Sequence, residues 1–275
     1  MNAVAVTLYR TLLALALALL LLVASDAPAA AQIAVIGSTV IERVAAPGES
    51  YAGAIVVRNL TRTHQPVRIY QTDYLFAADG TSRFDPVGTT ERSNAKWVTP
   101  AQRSLLIPPS GELTLSYSVT VPASDSLVGS YWSTIMVEAA PVDAAPSSSD
   151  KAQVGLGAVV RYAIQVATHI RANGSRKVSF SNARVVVDPD STQTFELDVA
   201  NAGERAHRPT MWIEVYDEQG ALRAKVRQER GLLYPGTSLR QRFRLGQIAA
   251  GAYRAIVFAD SGDDAVFAAQ FTLRF

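Results

Sequence analysis

The sequence predicts an all-β protein of two tandem immunoglobulin-like β-sandwich domains behind an N-terminal leader. Three observations carry that reading. Apolar and polar residues alternate in many short runs, so an extended backbone puts the apolar ones on one face. Gly, Pro, Asn and Asp break these runs at short intervals, and no stretch holds a convincing helical period. The same grammar recurs in both halves of the chain, as expected for two copies of one architecture.

The leader comprises residues 1–31. Arg10 is followed by the apolar run Leu12 to Val23 and then by Ala29-Ala30-Ala31 ahead of Gln32, the layout of a cleavable secretory signal peptide. Read instead as an uncleaved anchor, the run is about a dozen residues, short of the roughly 20 that cross a bilayer. No later segment is long or apolar enough to span, so membrane contact is expected only through the signal segment. The destination is outside the cytoplasm, in a periplasm or at the cell surface.

In the first half the expected strands are Ile33 to Val44, Ser50 to Asn59, Gln65 to Phe76, Trp97 to Val98, Ser104 to Ile107, Leu113 to Val121, Tyr131 to Ala139 and Val154 to Ile170. In the second they are Val178 to Val187, Thr194 to Asn201, Thr210 to Tyr216, Ala221 to Gln228, Ser238 to Leu245, Ala252 to Ala259 and Val266 to Phe275. Ala78-Asp79-Gly80 and Asp217-Glu218-Gln219-Gly220 read as hairpin turns in which glycine takes a positive φ. Pro47-Gly48, Pro108 to Gly111 and Pro235-Gly236 open further strands. Gly and polar residues at Asn173-Gly174-Ser175 interrupt the alternation, which places the first domain at 32–173 and the second at 174–275.

The final strand of the first half is unusual. Val154, Leu156, Ala158, Val160, Tyr162, Ile164, Val166, Thr168 and Ile170 occupy every second position, one ribbon of roughly 55 Å at ~3.3 Å per residue, against about 17–20 Å for an ordinary strand. Part of it is expected to lie at an open sheet edge. The Pro/Ala/Ser segment before it, 140–152, reads as a long loop inside the first domain or, on composition alone, as an interdomain linker.

Composition excludes several functions. The net charge of +2 is unchanged by loss of the leader, which removes Arg10 and Asp26, so nucleic acid is not an expected partner. The bases between Arg223 and Arg244 have acids nearby and read as a solvated face. With no cysteine, disulfides, thiol nucleophiles and thiolate metal sites are all absent. His64, His169 and His207 are far apart in sequence and read as solvated strand-end or loop residues. Asp260 to Asp264 and Asp188-Pro189-Asp190 could hold calcium, but without the EF-hand spacing hairpin turns are the simpler reading. Asn59-Leu60-Thr61 and Asn173-Gly174-Ser175 match the glycosylation sequon. Of the neighbouring Tyr131 and Trp132, one is expected in the core and the other exposed. No nucleophile, base and metal set is present, so no enzyme activity, cofactor or metal is expected.

An exported first Ig-like domain, the strand Ser130 to Ala139, the loop Pro141 to Asp150, the ribbon Val154 to Ile170 and a second Ig-like domain together resemble a periplasmic pilus chaperone of the PapD-like superfamily. The three named segments correspond to its F strand, F–G loop and G strand. The resemblance implies that alternating G-strand residues complete the core of a fibre subunit by strand addition. It points to Val154, Leu156, Ala158, Val160, Tyr162 and Ile164 as partner-binding residues. Members anchor the subunit's C-terminal carboxylate with an Arg on the first strand and a Lys on the G strand. Here the first strand has no base before Arg43, and the G strand offers Arg161 as the possible anchor.

Pro47-Gly48-Glu49 leading to Asn59, Ser110-Gly111-Glu112 leading to Val121-Pro122, Gly129, Asn201, Tyr234-Pro235-Gly236 and Gly251-Ala252-Tyr253 also resemble the two domains of WxL-interacting proteins. That family implies an envelope module binding peptidoglycan or another surface protein. The leading expectation is a chaperone-like assembly factor for surface-fibre subunits, and the alternative is the envelope-binding module.

Overall fold

The computed structural model of the protein describes residues 31–140, 159–171, 173–228, 231–262 and 265–275. The signal segment, the expected loop 140–152 beyond Ala140, and Val154, Leu156 and Ala158 lie outside them. Among the described residues there is no helix. The strands are β1 (Ile33–Ile36), β2 (Val40–Ala45), β3 (Ser50–Asn59), β4 (Gln65–Phe76), β5 (Ser82–Asp85), β6 (Val98–Pro100), β7 (Ser104–Ile107), β8 (Glu112–Thr120), β9 (Ser130–Ala139), β10 (Arg161–Ile170), β11 (Val178–Val187), β12 (Gln193–Asn201), β13 (Thr210–Tyr216), β14 (Leu222–Gln228), β15 (Ser238–Gly246), β16 (Ala252–Asp260) and β17 (Val266–Arg274).

Strands β1 to β10 form one sandwich. One sheet runs β1-β3-β8-β6, and the other runs β2-β10-β9-β4-β5 with β7 added to β4. Period-2 alternation sends Ile55 and Val57 of β3, Leu115 and Val119 of β8, Ile135 and Val137 of β9, and Ile164 and Val166 of β10 into a shared core. Two expected strands differ. Ile33 to Val44 is not one strand: at Gly37, where φ is +100°, the chain leaves one sheet and enters the other, and Ser38 Oγ ties the kink by accepting from Val40 N–H (3.1 Å). β1 therefore pairs with β3, while β2 pairs in parallel with β10. The described part of the long ribbon is a strand only from Arg161, because its partner β9 ends at Ala139, whose N–H donates to Val160 C=O (3.1 Å).

Strands β11 to β17 form the second sandwich, with sheets β11-β12-β15 and β14-β13-β16-β17. Its core gathers Phe195, Leu197, Met211, Ile213, Phe243 and Val257. Two of the arginines read as a solvated face, Arg240 and Arg242, are ion-paired on the outer side of the first of these sheets, as is Arg184 beside them. Arg240 meets Asp198 at 2.8 Å, Arg242 meets Glu196 at 3.0 Å, and Arg184 meets Glu196 at 2.6 Å. The strand register sets these acids directly beside the bases.

Both sandwiches are tied at one corner by the same device. Asn59, at the end of β3, is 1% exposed; its side-chain NH2 donates to the carbonyls of Thr63, Ile107 and Pro108 (2.7, 3.1 and 3.0 Å), and its Oδ1 accepts from Thr61 N–H. Asn201, at the end of β12, donates to Arg205 and Leu233 carbonyls (2.7 and 3.1 Å) and accepts from Gly203 N–H. Each amide fastens a strand end to the Pro-containing turn opposite. Replacing Asn59 by Ala strands buried carbonyls and is expected to cost about 1–3 kcal/mol, read as a lower urea midpoint, with Asn201→Ala acting alike.

Candidate functional site

Strand β10 is engaged differently at its two ends. In an antiparallel ladder alternate residues bond to the neighbour, and the rest point to the other side. Val160 accepts from Ala139 N–H and Ile170 N–H donates to Gly129 C=O, so the even-numbered residues face β9. The odd-numbered residues face β2, as Gln165 N–H shows by donating to Thr39 C=O (2.8 Å). β2 begins at Val40, opposite Gln165. Among the described residues, no strand covers the main-chain groups of Arg161 and Ala163 on that side. This uncovered edge, Arg161–Ile164, is the candidate site.

The residues expected to contact a partner fall in different places. Ile164 is fully buried in its own sandwich, because even-numbered side chains of β10 point between the two sheets, and its main-chain groups face β9; it offers a partner neither. Tyr162 points the same way, half-buried, and its hydroxyl donates to Ile33 C=O of β1 (3.1 Å), bridging the open mouth between the sheets. Val160 is half-buried and Val159 exposed. Arg161, the possible anchor, lies on the outer face and is ion-paired with Glu138 at 2.7 Å. Sequence reasoning passed over Glu138 and its second partner, Arg68 of β4 (2.7 Å). A lone carboxylate in the apolar run Tyr131 to Ala139 was the available signal.

At its other end β10 belongs to a seam between the sandwiches. Trp132 was expected either inside the core or exposed. It is neither, lying on the outer face of β9 and stacking on Tyr234 of the second sandwich (centroids 4.6 Å apart, planes 7° apart), with its indole N–H donating to Tyr74 C=O (2.6 Å). Tyr131 packs inside against Trp97. His169 is not solvated either. Its Nδ1 meets Ser130 Oγ at 2.8 Å and its Nε2 meets Glu42 Oε1 at 3.2 Å, while Arg208 of the second half holds the other Glu42 oxygen at 2.6 Å.

The Ser130–His169–Glu42 order resembles a hydrolytic triad, but the Ser130 hydroxyl is buried and accepts from Ala206 N–H (2.8 Å). In the tautomer that carries its hydrogen on Nε2, the ring donates to Glu42 and accepts the Ser130 hydroxyl at Nδ1. The chain of bonds joins the two sandwiches and leaves no room for a substrate at the oxygen. At Gly129, where φ is +76°, an added Cβ would overlap the Glu204 carbonyl.

Neither the protein-family models nor the curated proteins contain a match to this chain. Solved structures do match. The chain is similar to a structure of a chaperone–tip adhesin complex of CFA/I fimbriae biogenesis, with 10% identity, a TM-score of 0.47, and coverage of 87% of this chain and 98% of that chain. It is similar to the class 5 fimbriae chaperone CfaA, with 10% identity, a TM-score of 0.45, and coverage of 86% and 98%. It is also similar to a structure of the Salmonella enterica SafA pilin in complex with the SafB chaperone, with 13% identity, a TM-score of 0.42, and coverage of 90% and 99%.

Three ionisable groups near the seam depart strongly from their ordinary values, and burial pushes one of them, the Tyr234 hydroxyl, up. The His169 hydrogen bond, together with Arg208, holds the Glu42 carboxyl down at about 2 against the opposing effect of burial. Burial, helped by the Arg176 charge, lowers His207 to about 4; its Nδ1 lies 2.6 Å from Ser261 Oγ. Glu42 and His207 make the fold acid-sensitive. The unfolded chain protonates His207 more readily, so stability is lost as pH falls from 6.5 to about 4. Glu42 is charged in the folded state, and its contribution is lost from pH 4.5 down towards 2. Urea midpoints measured from pH 7 to pH 2.5 should fall throughout, with the lower part of the fall reduced in Glu42→Gln.

Proposed function

We propose that this chain is an exported, non-enzymatic assembly factor that captures surface-fibre subunits by strand addition along the uncovered edge of β10. The observation that carries the reading is that edge: Arg161 and Ala163 turn their main-chain groups away from β9, where β2 has already ended. An exposed row of this kind pairs with an extended segment of another chain. Fibre subunits are the partner class, as for the chaperones named above, and the leader directs the protein to the periplasm or surface.

Magnitudes say what else the partner must bring. Two donors and two acceptors yield about 2–6 kcal/mol net. Association alone costs 4–15 kcal/mol or more. Apolar side chains must supply the remainder, at about 1.5–3 kcal/mol for each one fully buried. Val159, Val160 and Tyr162, together with Val154, Leu156 and Ala158 ahead of them, are this chain's contribution, and the subunit must alternate in the same way.

Ala163→Pro tests the edge directly. It deletes an N–H directed away from β9, leaving the β9 ladder intact, and proline is tolerated at sheet edges. Co-expression with a fibre subunit that the wild-type chain captures should yield at least about tenfold less complex for the variant, at an unchanged urea midpoint. Undiminished complex would overturn the reading, and so would failure of the wild-type chain to capture any fibre subunit.

A further inference from the structure

Arg161 heads the uncovered edge, and its side chain belongs to a charged row on the outer face of the sheet. Arg161, Glu138 and Arg68 are directly opposite one another on the adjacent strands β10, β9 and β4. Glu138 Oε1 lies 2.7 Å from Arg68 Nη2, and Glu138 Oε2 lies 2.7 Å from Arg161 Nε and 2.8 Å from the Tyr70 hydroxyl. The guanidinium of Arg68 also sits over the Tyr70 ring, 4.8 Å from its centroid. The carboxylate is nearly buried, with 11% of its side chain exposed, whereas Arg68 and Arg161 are 62% and 50% exposed.

Two guanidiniums share one carboxylate, so the row carries one unbalanced positive charge. A guanidinium has five N–H donors, and Glu138 already has three claimants on its two oxygens. Burial alone would raise the Glu138 carboxyl; the Tyr70 and Arg68 hydrogen bonds and the Arg161 charge lower it instead. Arg68 borders β7, which begins opposite it at Ser104. Arg161 borders the open side. Among the described residues the charge order along the row is thus plus, minus, plus, and then an empty position.

We propose that this empty position is filled by an acidic side chain of the captured strand, which fixes the register of strand addition. The inference rests on the reading of Arg161–Ile164 as a pairing edge. A strand added there places one residue directly opposite Arg161 on the same face, with Cβ atoms about 4.5–5.5 Å apart. Asp or Glu at that position continues the ladder. The residues on either side of it point inwards, beside Val160 and Tyr162, and are apolar. A slip of one residue would send the acid inwards and the apolar residues out, so a single ion pair selects the correct alignment.

The test uses the full mature chain and synthetic nine-residue peptides alternating Val with Thr, in which Asp, Asn or Lys replaces each Thr in turn. Amide hydrogen exchange at Arg161 and Ala163 reports strand addition, and calorimetry reports affinity. One Asp position should bind about two- to fivefold more tightly than its Asn counterpart, with Lys weaker than both. In Arg161→Gln the Asp preference should disappear while Asn-peptide affinity holds; Arg68→Gln should lessen the preference. Protection of both amides with equal Asp and Asn affinities, or an Asp preference that survives Arg161→Gln, would overturn the acidic register contact alone. No protection by any peptide would overturn the pairing edge as well.

Discussion

The structure depends on how one N-terminal segment divides its hydrogen bonds between two sheets. A sandwich leaves each sheet with edges whose main-chain groups need partners. Here the segment spends four residues on β3, kinks at Gly37 to Thr39, and spends the next six on β10. Residues given to one sheet are unavailable to the other. The kink's position therefore decides how much of β10 is covered, and Arg161–Ile164 is what remains.

The seam supplies the complementary constraint. Trp132 and Tyr234 stack over Ala167, and Glu42, His169, Ser130 and Arg208 are linked beside them. These groups occupy the outer face of the sheet that also carries the uncovered edge. Along β10 the same face changes from apolar and sealed at Ala167 to charged and open at Arg161. The two regions are six residues apart, about 20 Å along a strand, so the seam does not cover the edge.

Much of the fold was legible because alternation is strong wherever one sheet face is buried. The core positions of β3, β8 and β13 follow from it, and so do the turn glycines Gly80 and Gly220, which adopt φ of +88° and +81°. The sheet switch was invisible for the same reason. Val35, Gly37, Thr39 and Ile41 keep the period through the kink, and periodicity does not report which neighbour a strand bonds. β9 hid its second buried face, since a strand covered on both sides loses its alternation. The site was legible only in part: the ribbon marked β10, but the short reach of β2 and the Arg68–Glu138–Arg161 row are facts of register. His169 beside Glu42 joins residues 127 apart in sequence, a proximity no local pattern encodes.

Strand β10 is anchored in the manner of a cantilever. Its root, from Ala167 to Ile170, is clamped between β2, β9 and the stacked rings, while the main chain of its tip is bonded, among the described residues, by β9 along one side only, with the Tyr162 hydroxyl as a single tie to β1. A load applied sideways at Arg161 is carried mainly by the ladder to β9 before it reaches the root. A captured chain pulled outwards would therefore peel residue by residue from the tip, whereas one pulled along the strand would shear all its bonds together. The same contact would then resist axial tension while releasing readily to a transverse pull.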